Sequence, residues 1–140
     1  MRARVSLIII LLASALPASG NASAQSDIVV RADVAKSEIE RILNADNLDT
    51  ISMDPRDIAD AIAAIPRGRA PFDFWQAYQK HVAAWEDMAA LADRRGGEAD
   101  DGELDSADRV INRTFEEVER IARKYGARMP LPMSEVRRTA

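Results

Sequence analysis

The chain contains no cysteine. That excludes disulfides, thiolate metal sites, a cysteine nucleophile and covalent haem attachment. Histidine occurs once, as His81. No His/carboxylate/Ser or Lys/Ser set can be assembled by spacing, so no catalytic motif is read and no catalytic residue is named. Positive charge is in the minority, 19 basic against 23 acidic residues, for a net charge of −4. An acidic chain is poorly matched to the nucleic-acid backbone, which needs a basic face, and it is not a polybasic membrane binder. After residue 24 there is no alternating β-branched run, so strands are not expected. Internal repeats and low-complexity tracts are also missing.

Only one long apolar run is present, Ser6 to Leu16. Arg2 and Arg4 precede it. Pro17, Ser19, Gly20 and Asn21 follow, and then the small-x-small triplet Ala22-Ser23-Ala24. This is the three-part layout of a cleavable signal peptide, 1–24, with cleavage between Ala24 and Gln25. The alternative is an uncleaved anchor, but the run is about half of the roughly 20 residues that span a bilayer. The expected destination is a bacterial periplasm, or the medium, with no stable membrane insertion after cleavage. Loss of Arg2 and Arg4 leaves the mature chain more acidic still.

Residues 25–132 are expected to form a single helical domain, with a flexible tail over 133–140. Apolar residues at 28, 32, 35, 39 and 42 share one helical face, widened by Val30, Val34 and Leu43. Ser37 to Glu40 fits a capping box, an alternative start for this helix. Asn44 to Thr50 reads as a turn. Asp54, Pro55 and Asp57 open a second helix. Ile58, Ala61, Ile62 and Ile65 give it a face, and Pro66 stops it. Aromatics make up 5% of the chain, yet Phe72, Phe74, Trp75, Tyr78 and Trp85 are crowded into one segment.

That segment is the third expected helix, opened by Pro71. Its seam is Trp75, Tyr78, Val82, Trp85, Ala89 and Ala92, flanked by Phe74, His81 and Met88. Arg94, Arg95 and Gly96-Gly97 end it. Gly96 to Asp105 reads as an acidic loop, with Asp105 or Ser106 capping a fourth helix. The fourth carries Ile111, Phe115, Val118, Ala122 and Tyr125 inward, and Glu116–Arg120 and Glu119–Arg123 as i,i+4 pairs outward. Gly126 is its expected C′ residue. The expected fold class is all-α: a small bundle of about four helices. It is built on a long antiparallel hairpin of the third and fourth helices, covered by two shorter N-terminal helices.

Candidate contact residues for a partner or ligand are Arg67, Arg69, Trp75, Tyr78, His81 and Trp85. Arg67-Gly68-Arg69 could grip a carboxylate or phosphate, or simply keep a tight turn wet. The aromatic cluster serves as core or as a binding surface. His81 as a haem ligand would need Met53, Met129 or Met133 opposite, since Met88 lies about 10 Å along the same helix. The acidic loop fails the EF-hand pattern: with Gly102 as the turn glycine, position 1 is Gly97, position 3 is Ala99 and position 12 is Asp108. No cofactor and no metal site is therefore assigned. The leading expectation is a non-enzymatic module with an unknown protein partner or a second copy of itself. The alternative is a bundle binding a small ligand, metal or haem.

Overall fold

A computed structural model describes residues 21–93 and 100–131, with side chains from residue 31 onward. Among these residues the fold is all-helical, with four helices and no strand. They are α1 (Asn21–Asp46), α2 (Pro55–Ala63), α3 (Phe72–Asp93) and α4 (Asp101–Lys124). Helices α3 and α4 pack together, and α2 packs on α3. Buried side chains from all four helices join in one core: Ile39, Ile42 and Leu43; Ile58 and Ile62; Phe74, Tyr78 and Val82; Val118, Ile121 and Ala122. No helix among the described residues is long and apolar enough to cross a membrane.

α1 departs furthest from expectation. It is 26 residues long, the longest of the four, so it is not a short covering helix. It runs straight through Ser37, where a start had been an alternative, and on through Asn44 to Asp46, where a turn was expected. The Ala24/Gln25 boundary falls in its first turns, where only backbone is described. Burial begins late. Ala32 is exposed and Ala35 half-buried, whereas Ile39, Ile42 and Leu43 are closed off. Ile28 and Val30 lie outside the described side chains. Among the described side chains, burial of the apolar stripe is complete only toward the C-terminal end of α1.

α2 follows its start and stop signals. The Asp54 carboxylate accepts from the Arg56 N–H at 3.1 Å, Pro55 is the first helical residue, and the helix closes before Pro66. The Pro66–Ala70 turn is tied down by the Arg41 guanidinium, which donates to the Pro66 carbonyl at 2.7 Å. Gly68 sits there at φ +58°, a left-handed conformation that glycine adopts without a Cβ clash.

The burial of α3 is rotated from the expected seam. Phe74 and His81, assigned to its flanks, are buried. Trp75 and Trp85 are only half-buried, and Ala92 is exposed. The cause is that α3 is contacted from two sides, by α2 and by α4. The arc between those neighbours is filled by Phe74, Ala77, Tyr78, His81 and Ala84; Trp75 falls beside it, and Trp85 lies within it but lines a cavity and stays half-buried. Arg94 to Gly97, the expected helix stop, lie outside the described residues.

α4 begins earlier than expected. Asp100 is its cap, accepting from the Gly102 N–H at 3.0 Å, and Asp101 and Glu103 occupy the first turn. Asp105 and Ser106 are therefore helical and not the cap. Acidic residues read as a loop are instead stabilised against the positive end of the helix. Arg120 pairs with Glu117 at 2.7 Å, one step closer than the expected Glu116; Arg123 pairs with Glu119, also at 2.7 Å. The helix ends in a Schellman arrangement around Gly126 (φ +70°). Ala127 N–H donates to Ala122 O at 3.1 Å, and Gly126 N–H to Arg123 O at 2.9 Å. The chain then returns along α1: Arg128 N–H donates to Glu40, and Asn47 donates to the Leu131 carbonyl, each at 3.0 Å. Pro132, Met133 and the expected tail 133–140 lie outside the described residues.

Candidate functional site

A cavity of about 240 Å³ opens where four parts of the chain converge. α1 contributes Leu43 and Asp46, and the α1–α2 connection contributes Asn47, Leu48 and Thr50. α3 supplies His81 and Trp85. α4 supplies Ile111, Asn112 and Phe115, with Pro130 beyond it. Among the described residues four clefts are larger, three of about 270 to 450 Å³ along the α3–α4 seam and one of about 260 Å³ beside α1, but no aromatic side chain lines any of them.

Among the described residues Asp46 is the only acidic or basic side chain, His81 apart, in the wall of this cavity. It is the last residue of α1, a helix with no basic residue in its final turn. A carboxylate there faces the negative end of the helix dipole. Burial is the main cause that lifts its pKa, from 3.8 to about 6; a hydrogen bond from Tyr78 opposes the rise. That bond is long. The Tyr78 hydroxyl stands 3.4 Å from Asp46 Oδ1 and also 3.4 Å from the Ile62 carbonyl, so one proton serves two acceptors. Burial, then the neighbouring Asp46 charge, raise the Tyr78 pKa in turn.

His81 moves the other way. Burial lowers its pKa from 6.5 to about 4, against a hydrogen bond to the Ile111 backbone that favours the cation. The ring is neutral at physiological pH. Its Nδ1 lies 3.1 Å from Thr114 Oγ1. The Thr114 hydroxyl is itself within 2.9 and 3.0 Å of the Ile111 and Val110 carbonyls. Its single proton goes back to its own helix, which leaves its oxygen able to accept from a protonated His81 Nδ1, with the Ile111 carbonyl as a second acceptor for the ring. The His81 ring also packs on Phe115, centroids 5.1 Å apart and planes tilted by 46°.

The residues singled out from sequence separate into three groups. His81 and Trp85 line the cavity, and Tyr78 reaches its edge through Asp46. Trp75 packs on Tyr78 with centroids 5.6 Å apart, on the core side of α3. Arg67 and Arg69 are elsewhere and exposed. Arg67 donates to its own loop at Ala70 O, 3.2 Å, and lies 5.8 Å from the Phe72 ring centroid. Arg69 borders a shallow cleft with Asp33 and Glu38, whose carboxylates disfavour an anion there.

For the haem alternative, the cavity is below the roughly 300 Å³ at which pockets for drug-sized molecules begin. Among the described residues no group of three or more His, Asp or Glu could hold a metal ion. Asp46 was missed from sequence. The available signal was an acidic residue at the end of an apolar helical stripe, where a basic one is favourable.

No family model, curated protein or solved structure matches the chain.

Proposed function

We propose that the protein is an exported, non-enzymatic helical bundle that binds a small ligand in the cavity between the end of α1, α3 and α4. The observation that carries this reading is one cavity walled by Asp46, His81, Trp85 and Phe115, with Asn47 and Asn112 beside them. It follows the common plan of a ligand pocket, apolar and aromatic walls with a few polar groups that fix orientation. In this reading α3 and α4 run antiparallel as a hairpin, with α1 and α2 laid over it. The pairing of Asp73 with Lys124 at 2.9 Å and of His81 with Thr114 at 3.1 Å supports that register.

The test is ¹⁵N-edited NMR of the protein recovered from the periplasm, screened against a small-fragment library. Hits that shift the Trp85 indole and Asn112 side-chain signals together support the reading. A library that leaves both unmoved overturns it. Native mass spectrometry of the same sample checks export: a mass starting at Gln25 is expected, and a mass starting at Met1 refutes cleavage.

A second reading, a protein partner or a second copy, draws on exposed apolar side chains: Ile51 at 92%, Leu131 at 66% and Phe72 at 62% exposure. A concentration-dependent dimer by light scattering, lost in Ile51→Asp, supports it. A strict monomer removes the homodimer.

A further inference from the structure

We propose that the ligand of this cavity is a small organic cation, held by the Asp46 carboxylate against the Trp85 and Phe115 rings. The inference rests on the reading of the cavity as a ligand site. It goes further by fixing the charge and class of the ligand. Among the described residues the wall contains no lysine and no arginine. Asp46 is its one group that carries formal charge near neutral pH, because His81 is neutral there. Among the described residues no cation pairs with Asp46: its side-chain partner there is the Tyr78 hydroxyl, neutral and distant at 3.4 Å. A carboxylate in such a place gains more from an arriving cation than a solvated one does, since it has already lost water without gaining a counter-charge. Trp85 and Phe115 add the negative faces of their rings, which attract quaternary and primary ammonium groups. Asn47 and Asn112 already donate to the Leu131 carbonyl and the Asp108 carboxylate, and their amide oxygens can accept from a hydroxyl at the neutral end of the same molecule. The cavity of about 240 Å³ restricts the ligand to a compact molecule.

Binding is coupled to the proton on Asp46. The titratable groups facing it are Tyr78 and His81, both from α3; α4 and the segment after it present Ile111, Asn112, Phe115 and Pro130, none of which titrates. The carboxylate must be ionised to hold the cation, so affinity falls as pH drops through about 6.

The experiment uses choline and its uncharged isostere 3,3-dimethylbutan-1-ol, titrated into the mature protein and followed by Trp85 fluorescence and calorimetry. Choline is expected to bind more tightly, with affinity about tenfold weaker at about pH 5 than at about pH 8. Asp46→Asn is expected to abolish both the preference and the pH dependence. The variant can keep the Tyr78 hydrogen bond through its amide oxygen. In the unaltered protein, the ¹³C carboxyl resonance of Asp46 is expected to titrate at lower pH when choline is present. Equal or tighter binding of the isostere overturns the cation proposal and leaves the cavity reading standing. Failure of both probes, together with an unmoved Asp46 titration, overturns the cation proposal; the fragment screen then decides the cavity reading separately.

Discussion

Asp46 and Asp73 are two aspartates bonded to tyrosines, and their protons are held very differently. Asp46 receives only the shared Tyr78 hydroxyl, at 3.4 Å, and burial lifts its pKa to about 6. Asp73 sits near the start of α3. Burial would raise it too, but hydrogen bonds from Lys124 (2.9 Å), Tyr125 (2.8 Å) and the Phe74 N–H (2.9 Å) outweigh that and lower its pKa. Asp73 is a structural tie between α3 and the end of α4, with its charge satisfied. Asp46 lines a cavity with no counter-charge among the described residues. The same carboxyl group with a tyrosine partner gives opposite outcomes, because what decides is whether a cation and a backbone donor accompany the tyrosine.

The largest expected effect tests the cost of Asp46. Its rise from 3.8 to about 6 corresponds to at most about 3 kcal/mol against folding above about pH 6. A raised carboxylate pKa means that stability is greatest below the unfolded value and is lost as pH rises through the folded one. Asp46→Asn is therefore expected to stabilise the fold by about 1–3 kcal/mol at about pH 8, and not at about pH 3. Urea unfolding at the two pH values checks it. A loss of stability at pH 8 breaks the comparison, because Asp46 would then be a tie like Asp73.

His81 produces a slope of the opposite sign and similar size. Its lowered pKa contributes stability that is present above 6.5 and lost as pH falls toward about 4. In the unaltered chain the two slopes nearly cancel between about pH 4 and about pH 6. His81→Gln is expected to expose the Asp46 slope, so that stability rises by about 1–3 kcal/mol on acidification across that range. There is an added, pH-independent packing cost of about 1 kcal/mol from the lost ring contact. Thermal melts at half-unit pH steps resolve both.

Asp73→Asn sharpens the other side. Its depressed pKa gives stability that is present above the ordinary 3.8 and lost as pH falls through the folded value. The side chain is 41% exposed, so solvent screening limits the loss at neutral pH to less than about 1 kcal/mol. It should vanish in acid, as denaturant titration at about pH 7 and about pH 2 will show.

The smallest effects come from the tyrosines. Tyr78→Phe should raise the Asp46 pKa, and Tyr125→Phe the Asp73 pKa, because each removes a hydrogen bond that favours the charged form. The change is expected to be larger at Asp73, whose bond is shorter. Carboxyl ¹³C NMR reads both directly.

Much of this architecture was legible beforehand, where a local rule governs. Asp54-Pro55 opens α2, Pro66 ends it and Gly126 closes α4, because caps, proline and left-handed glycine act within a few residues. His81 and Trp85 were singled out, and they do meet in one cavity. Arg67 and Arg69 were singled out with them and lie elsewhere, since a basic triplet shows charge but not what stands opposite. Asp46 was passed over because the end of α1 was placed too early. An aspartate in a turn gives no sign of burial.

The sequence by itself determined four amphipathic segments, their principal stops, and an acidic, cysteine-free chain without a catalytic motif. These follow from periodicity and from backbone chemistry carried by neighbouring residues. Only the tertiary structure decided which arc of α3 is buried, and that Asp46, His81, Trp85 and Phe115 share one cavity. Burial and the pKa values it moves depend on residues 30 to 70 positions away, and no local pattern encodes them.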